Sequence, residues 1–133
     1  MGKRRKSREL ALQQLFKEDL NPNSGDVFNL AEEHEISDEV KDFYKELVQG
    51  VTSKKLDIDR LIEEHSNNWR VSRMAKVDLN IIRMATYELL YSSEVPPNVA
   101  LNEAIEISKK FGSEDSPSFV NGILDNILKK GQA

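Results

Sequence analysis

The stretch Arg73–Tyr91, RMAKVDLNIIRMATYELLY, decides the fold class. Val77, Leu79, Ile81, Ile82, Met84, Ala85, Leu89 and Leu90 leave only a narrow polar strip along it. A helix that is apolar on nearly every side is central and buried, so other helices must surround it. Pro96-Pro97 ends the pattern, because proline lacks the amide donor and restricts the residue before it.

Working outward, the periodicity stays helical. Upstream, Val40, Phe43, Tyr44, Leu47, Val48 and Val51 fall at i, i+3, i+4, i+7, i+8 and i+11, one face of a helix that Ser37 is placed to cap. Asp57 is placed to cap a further helix with Ile58, Leu61, Ile62 and His65 on its inner face. The loop Asn21-Pro22-Asn23-Ser24-Gly25 precedes a short, weaker pattern of Val27, Phe28 and Ala31. Before it, a helix from about Lys3 to Lys17 carries Leu12, Leu15 and Phe16. Downstream, Ala100, Ala104, Ile107 and Phe111 form another stripe, with Gly112 as its C′ residue. The last helix opens at Ser116-Pro117 and buries Phe119, Val120, Ile123, Leu124, Ile127 and Leu128. No strand-like alternation of useful length occurs. The expectation is an all-α, compact bundle of about seven helices, a single domain over residues 1–133.

Composition narrows the function classes. Hydrophobic residues make up 38% and charged residues 32%, too apolar for a disordered tail. No apolar run approaches the ~20 residues of a spanning helix, so no membrane partner is expected. The N-terminus lacks the apolar segment of a secretory signal. Cysteine is absent, which excludes disulfides, thiolate metal sites and cysteine nucleophiles and fits a cytoplasmic protein.

The net charge of −4 hides an asymmetry: Lys3, Arg4, Arg5, Lys6 and Arg8 are all cationic, which leaves −9 for the remainder. Arg5 and Arg8 lie close in helical angle to Leu12, so the cationic stretch continues the buried stripe past the core. Cations at a helix N-terminus oppose the macrodipole by ~0.3–1 kcal/mol each when exposed. An anion bound there reverses the balance, because Arg, Lys and free amide groups all attract phosphate. The plain alternative is a solvated basic tail.

Catalysis finds no support. His34 sits among Glu32, Glu33 and Glu35, and His65 follows Glu63-Glu64. Ala31 and Ile62 stand where a di-iron bundle would need glutamate three residues ahead of each histidine. There is no phosphate-binding glycine loop and no nucleophile elbow. Neither catalytic residues, a metal nor a cofactor is expected. Trp69, Tyr87 and Tyr91 read as packing residues. The helical stripe places Phe119 in the core, but its first-turn position beside Gly112-Ser113-Glu114-Asp115-Ser116 also suits a ring offered to a base.

Two stretches together resemble the NusB family. One is Arg4-Arg5-Lys6-Ser7-Arg8-Glu9-Leu10-Ala11-Leu12-Gln13-Gln14-Leu15-Phe16. The other runs through Val77-Asp78, Ile82-Arg83-Met84-Ala85, Tyr87-Glu88-Leu89, Pro97, Asn102-Glu103-Ala104-Ile105-Glu106 and Lys110-Phe111-Gly112 to Asp115-Ser116 and Phe119-Val120-Asn121-Gly122-Ile123-Leu124. Residues from about 20 to 65 match only in helical pattern.

The resemblance implies two packed helical subdomains. It also implies a non-catalytic transcription antitermination factor that binds boxA RNA of ribosomal RNA leaders. The partner would be NusE, a small-subunit ribosomal protein, within an RNA polymerase antitermination complex. By similarity Lys3, Arg4, Arg5, Lys6 and Arg8 would hold the RNA backbone, and Asp115 and Phe119 would contact bases. Asp78 matches an acidic position facing NusE, although Ser72 and Lys76 replace other acidic family positions nearby. Two alternatives stand beside this reading. NusB-like domains also precede ribosomal RNA methyltransferase domains, but this sequence contains no α/β cofactor domain. A purely protein-binding helical adaptor would leave the basic end incidental. Gly122, inside the last helix, costs roughly 1 kcal/mol against alanine, which a close helix–helix or partner approach would explain.

Overall fold

The computed structural model describes residues 2–22, 36–67 and 69–131. Among them are five α-helices: α1 (Gly2–Leu20), α2 (Asp38–Glu64), α3 (Lys76–Tyr91), α4 (Pro97–Phe111) and α5 (Ser116–Gly131), with a 3₁₀ turn at Val71–Arg73. The described residues contain no strand.

As the apolar pattern demands, α3 is the axis of the bundle and touches all four other helices. Leu79, Ile81 and Ile82 are wholly buried on it. α1 and α2 pack together on α3, and α4 and α5 do the same. The buried apolar side chains of all five helices form one cluster.

Against the expected bundle of about seven helices, the described residues hold five. The short pattern at Val27, Phe28 and Ala31 lies outside the described residues, as does His34. The two helices expected over Val40–Val51 and from Asp57 are one, because Val51, Ile58 and Ile62 stay in register with i+7 and i+4 steps along a continuous buried face. The solvated stretch between Val51 and Ile58 interrupts that face without breaking the helix. Gly50 sits inside this helix because the Tyr87 ring of α3 occupies the space a Cβ would need.

Local signals hold with some reassignment. Ser37 caps α2 by accepting from the Val40 amide at 3.3 Å, and His65 is the C-cap residue. Pro96 and Pro97 open α4. Gly112 ends α4 with φ −93°, not in the left-handed region; glycine is needed because a Cβ would overlap the Ser116 side chain. Ser116 is the first residue of α5. Its Oγ accepts from the Ser113 amide at 2.8 Å, which closes the α4–α5 turn. Asn67, at φ 54°, turns the chain after α2 in a conformation asparagine tolerates. No helix among the described residues is long and apolar enough to cross a membrane.

Candidate nucleic-acid interface

The basic run lies on the first turns of α1, where every cation but one meets an acid from another element. Lys3 pairs with Glu39 of α2 at 3.2 Å. Arg4 pairs with Glu94 of the α3–α4 loop at 3.3 Å, its guanidinium 4.4 Å from the Phe43 ring centroid. Arg5 donates from Nε and Nη2 to the two carboxylate oxygens of Glu103 at 3.0 and 2.6 Å. Lys6 is exposed and has no acidic partner among the described residues.

Arg8, which the resemblance puts among the RNA-backbone contacts, turns into the bundle. It is 3% exposed and donates from Nε and Nη2 to Glu88 of α3, itself 2% exposed, at 3.0 and 2.7 Å. Its Nη1 lies 3.6 Å from Glu103. Arg8 follows the apolar stripe inward, as its angle beside Leu12 requires, and its charge is met inside the bundle.

These pairs grade from open to closed along the helix. Hydrogen bonding from Arg5 is the first cause that holds the Glu103 carboxyl below its ordinary range, and Glu103 correspondingly raises Arg5. Burial pushes Glu88 upward, against the pull of Arg8. A second buried set ties α1 to α2 and α3: Arg83 grips Asp59 at 2.8 and 2.9 Å and Asp19 at 2.9 Å, and Asn80 donates to Asp19 at 2.8 Å.

Asp115 and Phe119 are brought together at the start of α5, where the Phe119 amide donates to the Asp115 carbonyl at 3.1 Å. Asp115 is exposed. Phe119 is half-buried: one side packs on the core and an edge meets the Trp69 ring at a centroid distance of 6.0 Å and 77°. The ring is thus partly core and partly open, short of the full burial that the helical stripe alone implies. The ring borders a groove of about 200 Å³ lined also by His65, Asn67, Trp69, Gly122 and Asn126. Nothing lies within 4 Å of a Cβ built on Gly122, which excludes a close helix–helix approach as its reason.

The cationic run and this groove share no lining residue: the groove is built by the end of α2, the turn after it and α5, whereas the cations of α1 meet acids of α2, α3, α4 and the α3–α4 loop. Asp78 is 9% exposed, in the first turn of α3. Sequence reasoning missed the acids Glu39, Glu94, Glu103 and Glu88. It also placed Trp69 and Tyr91 among packing residues, whereas they are 52% and 41% exposed, Tyr91 stacking on Tyr87 at 5.8 Å. The missed signal was a glutamate on the most apolar helix, which must find a cation.

Residues 5–129 match the family model described as the NusB family. The chain belongs to the NusB family. It is 51% identical over 137 residues to the transcription antitermination protein NusB of Geotalea daltonii, covering 96% of this chain and 94% of the relative. With the NusB of Geobacter sulfurreducens it shares 50% over 134 residues, at the same coverage. Among solved structures it resembles T. maritima NusB, with a TM-score of 0.87 and 35% identity over 96% of this chain and 91% of that one. It also resembles a chain of the crystal structure of antitermination factors NusB and NusE in complex with dsRNA, at TM-score 0.87 and 27% identity over 98% of both chains. NusB proteins are transcription antitermination factors, not enzymes.

Proposed function

We propose that this NusB-family chain binds boxA RNA of ribosomal RNA leaders together with NusE, within an RNA polymerase antitermination complex in the cytoplasm. The observation that carries the reading is its likeness, over nearly its whole length, to the chain solved with NusE and RNA. On this reading the α1–α2 and α4–α5 pairs are the two helical subdomains, joined across α3. Lys3, Arg4 and Lys6, with the outer edge of Arg5, hold phosphates. Arg8 acts by fixing α1 in place. Phe119 stacks on a base, and Asp115 accepts from a base amino group. Phosphate contacts then set affinity, while this second pair discriminates among sequences. Asp78 offers its carboxylate to NusE.

The test is RNA binding, with and without NusE, to boxA and a scrambled control at fixed salt. Wild type should prefer boxA, and NusE should tighten that preference. Changing Lys3, Arg4 and Lys6 to Ala should cut the slope of log affinity against log salt by roughly 2, at ~0.7 per lost contact to a single strand. Equal affinity for both RNAs, with an unchanged slope in the triple variant, rejects the reading.

A further inference from the structure

The acids facing the basic run differ in a way that assigns them different work. Glu88 and Glu103 have side chains only 2% and 12% exposed, and each takes two or more hydrogen bonds from arginine. Glu39 and Glu94 are 75% and 65% exposed, and each takes a single long contact, from Lys3 and Arg4. The first two anchor α1. The second two do not: solvated single-contact pairs hold little. Nonetheless they put a carboxylate oxygen on each of the two outermost cations, where a phosphate oxygen would sit. Lys3, Arg4, Glu39 and Glu94 all border one open cleft of about 650 Å³.

We infer that Glu39 and Glu94 are built-in competitors of the RNA backbone, carboxylates that occupy the phosphate positions on Lys3 and Arg4 until RNA displaces them. The inference rests on the proposed RNA binding by this end. A polyanion must open both pairs to use these cations, and it leaves two carboxylates facing its phosphates. The two acids thus hold down affinity for any RNA, and short or weakly matched strands fail to open the site. Because phosphates carry no sequence, boxA and scrambled RNA are penalised alike.

Fluorescence anisotropy with labelled boxA and scrambled single strands tests this on the Glu39→Gln/Glu94→Gln variant. The control is Asp57→Asn, which removes one carboxylate about 27 Å further along α2 at 1.5 Å per residue, so each of Glu39→Gln and Glu94→Gln is also measured singly against it. Each neutralised pair should tighten binding about 1.5- to 5-fold at low salt. The gain should shrink as salt screens the competitors, exceed that of Asp57→Asn, and vanish when Lys3 and Arg4 are already Ala. Glu94→Gln alone, in a loop, repeats the test should Glu39→Gln disturb the start of α2. If wild type binds RNA through its basic run and neither variant outdoes Asp57→Asn, or the gain survives without Lys3 and Arg4, the competitor role is overturned and RNA binding stands. If wild type binds neither RNA, both fall together.

Discussion

Arg8 and Glu88 meet almost entirely out of water, the guanidinium of α1 donating to the carboxylate of α3 at 2.7 and 3.0 Å. They sit on two of the five helices whose buried side chains form the core. A buried ion pair adds little net stability, since both ions lose their hydration, but removing one partner strands the other. Arg8→Ala should therefore cost about 3–5 kcal/mol. Replacing both with apolar residues of similar volume should restore most of it. Urea unfolding checks this; an Arg8→Ala variant as stable as wild type would remove Arg8 from its anchoring role.

Phe119 and Gly122 border the same groove and should respond with opposite signs. Phe119→Ala should cost about 1–2 kcal/mol of stability, below the ~3–5 of a fully buried ring, and ~1–3 kcal/mol of RNA binding. Gly122→Ala meets open space, so it should stabilise α5 by roughly 1 kcal/mol while weakening RNA binding by narrowing the groove. Thermal melts and RNA titrations together decide. If Phe119→Ala binds boxA normally, the groove does not read RNA.

At Gly50 a methyl group would run into the Tyr87 ring. Helix propensity favours Gly50→Ala by roughly 1 kcal/mol, but overpacking should reverse the sign and leave a net loss of about 1–3 kcal/mol. Adding Tyr87→Leu should recover stability. A more stable Gly50→Ala single variant would contradict the close approach of α2 to α3.

Acid stability should follow Glu103 and Asp19. Both carboxyls are held below their ordinary values of 4.5 and 3.8: Glu103 by the Arg5 hydrogen bonds, and Asp19 because Asn80, Arg83 and Lys55 together outweigh a burial effect that alone would raise it. A depressed carboxyl adds stability that is present above its ordinary value and is lost as pH falls through the folded one. Glu88, raised by burial, works the other way: its share is present below 4.5 and lost as pH rises through the folded value. Denaturant midpoints should fall below about pH 4.5, and Arg5→Gln should flatten that decline by freeing Glu103. An identical acid limb in Arg5→Gln would mean Glu103 gains nothing from its partner.

Much of the fold is legible in the residues. The nearly all-round apolar pattern of α3 placed it at the centre, and the stripes of α2, α4 and α5 named most of the core. The break expected near Asp57 failed because six successive exposed residues, Thr52–Asp57, resemble a linker when only the lost inner positions are seen. The candidate site was half legible. A cluster of cations at residues 3–8 is visible in any sequence. That Arg8 faces Glu88, eighty residues away, is not, because Glu88 is only one of 23 acids until the chain is folded.

By itself, then, the sequence determined which residues must leave water. Periodicity at 3.6 residues per turn is local, and burial follows it. It also determined that cations gather at one end and that the NusB-family motifs are present. Only the tertiary structure decided which charges are spent and which are free. Whether Arg8 is an anchor or a ligand depends on the acid that another helix brings within about 3 Å, and ion pairing falls off with a distance that chain position does not encode.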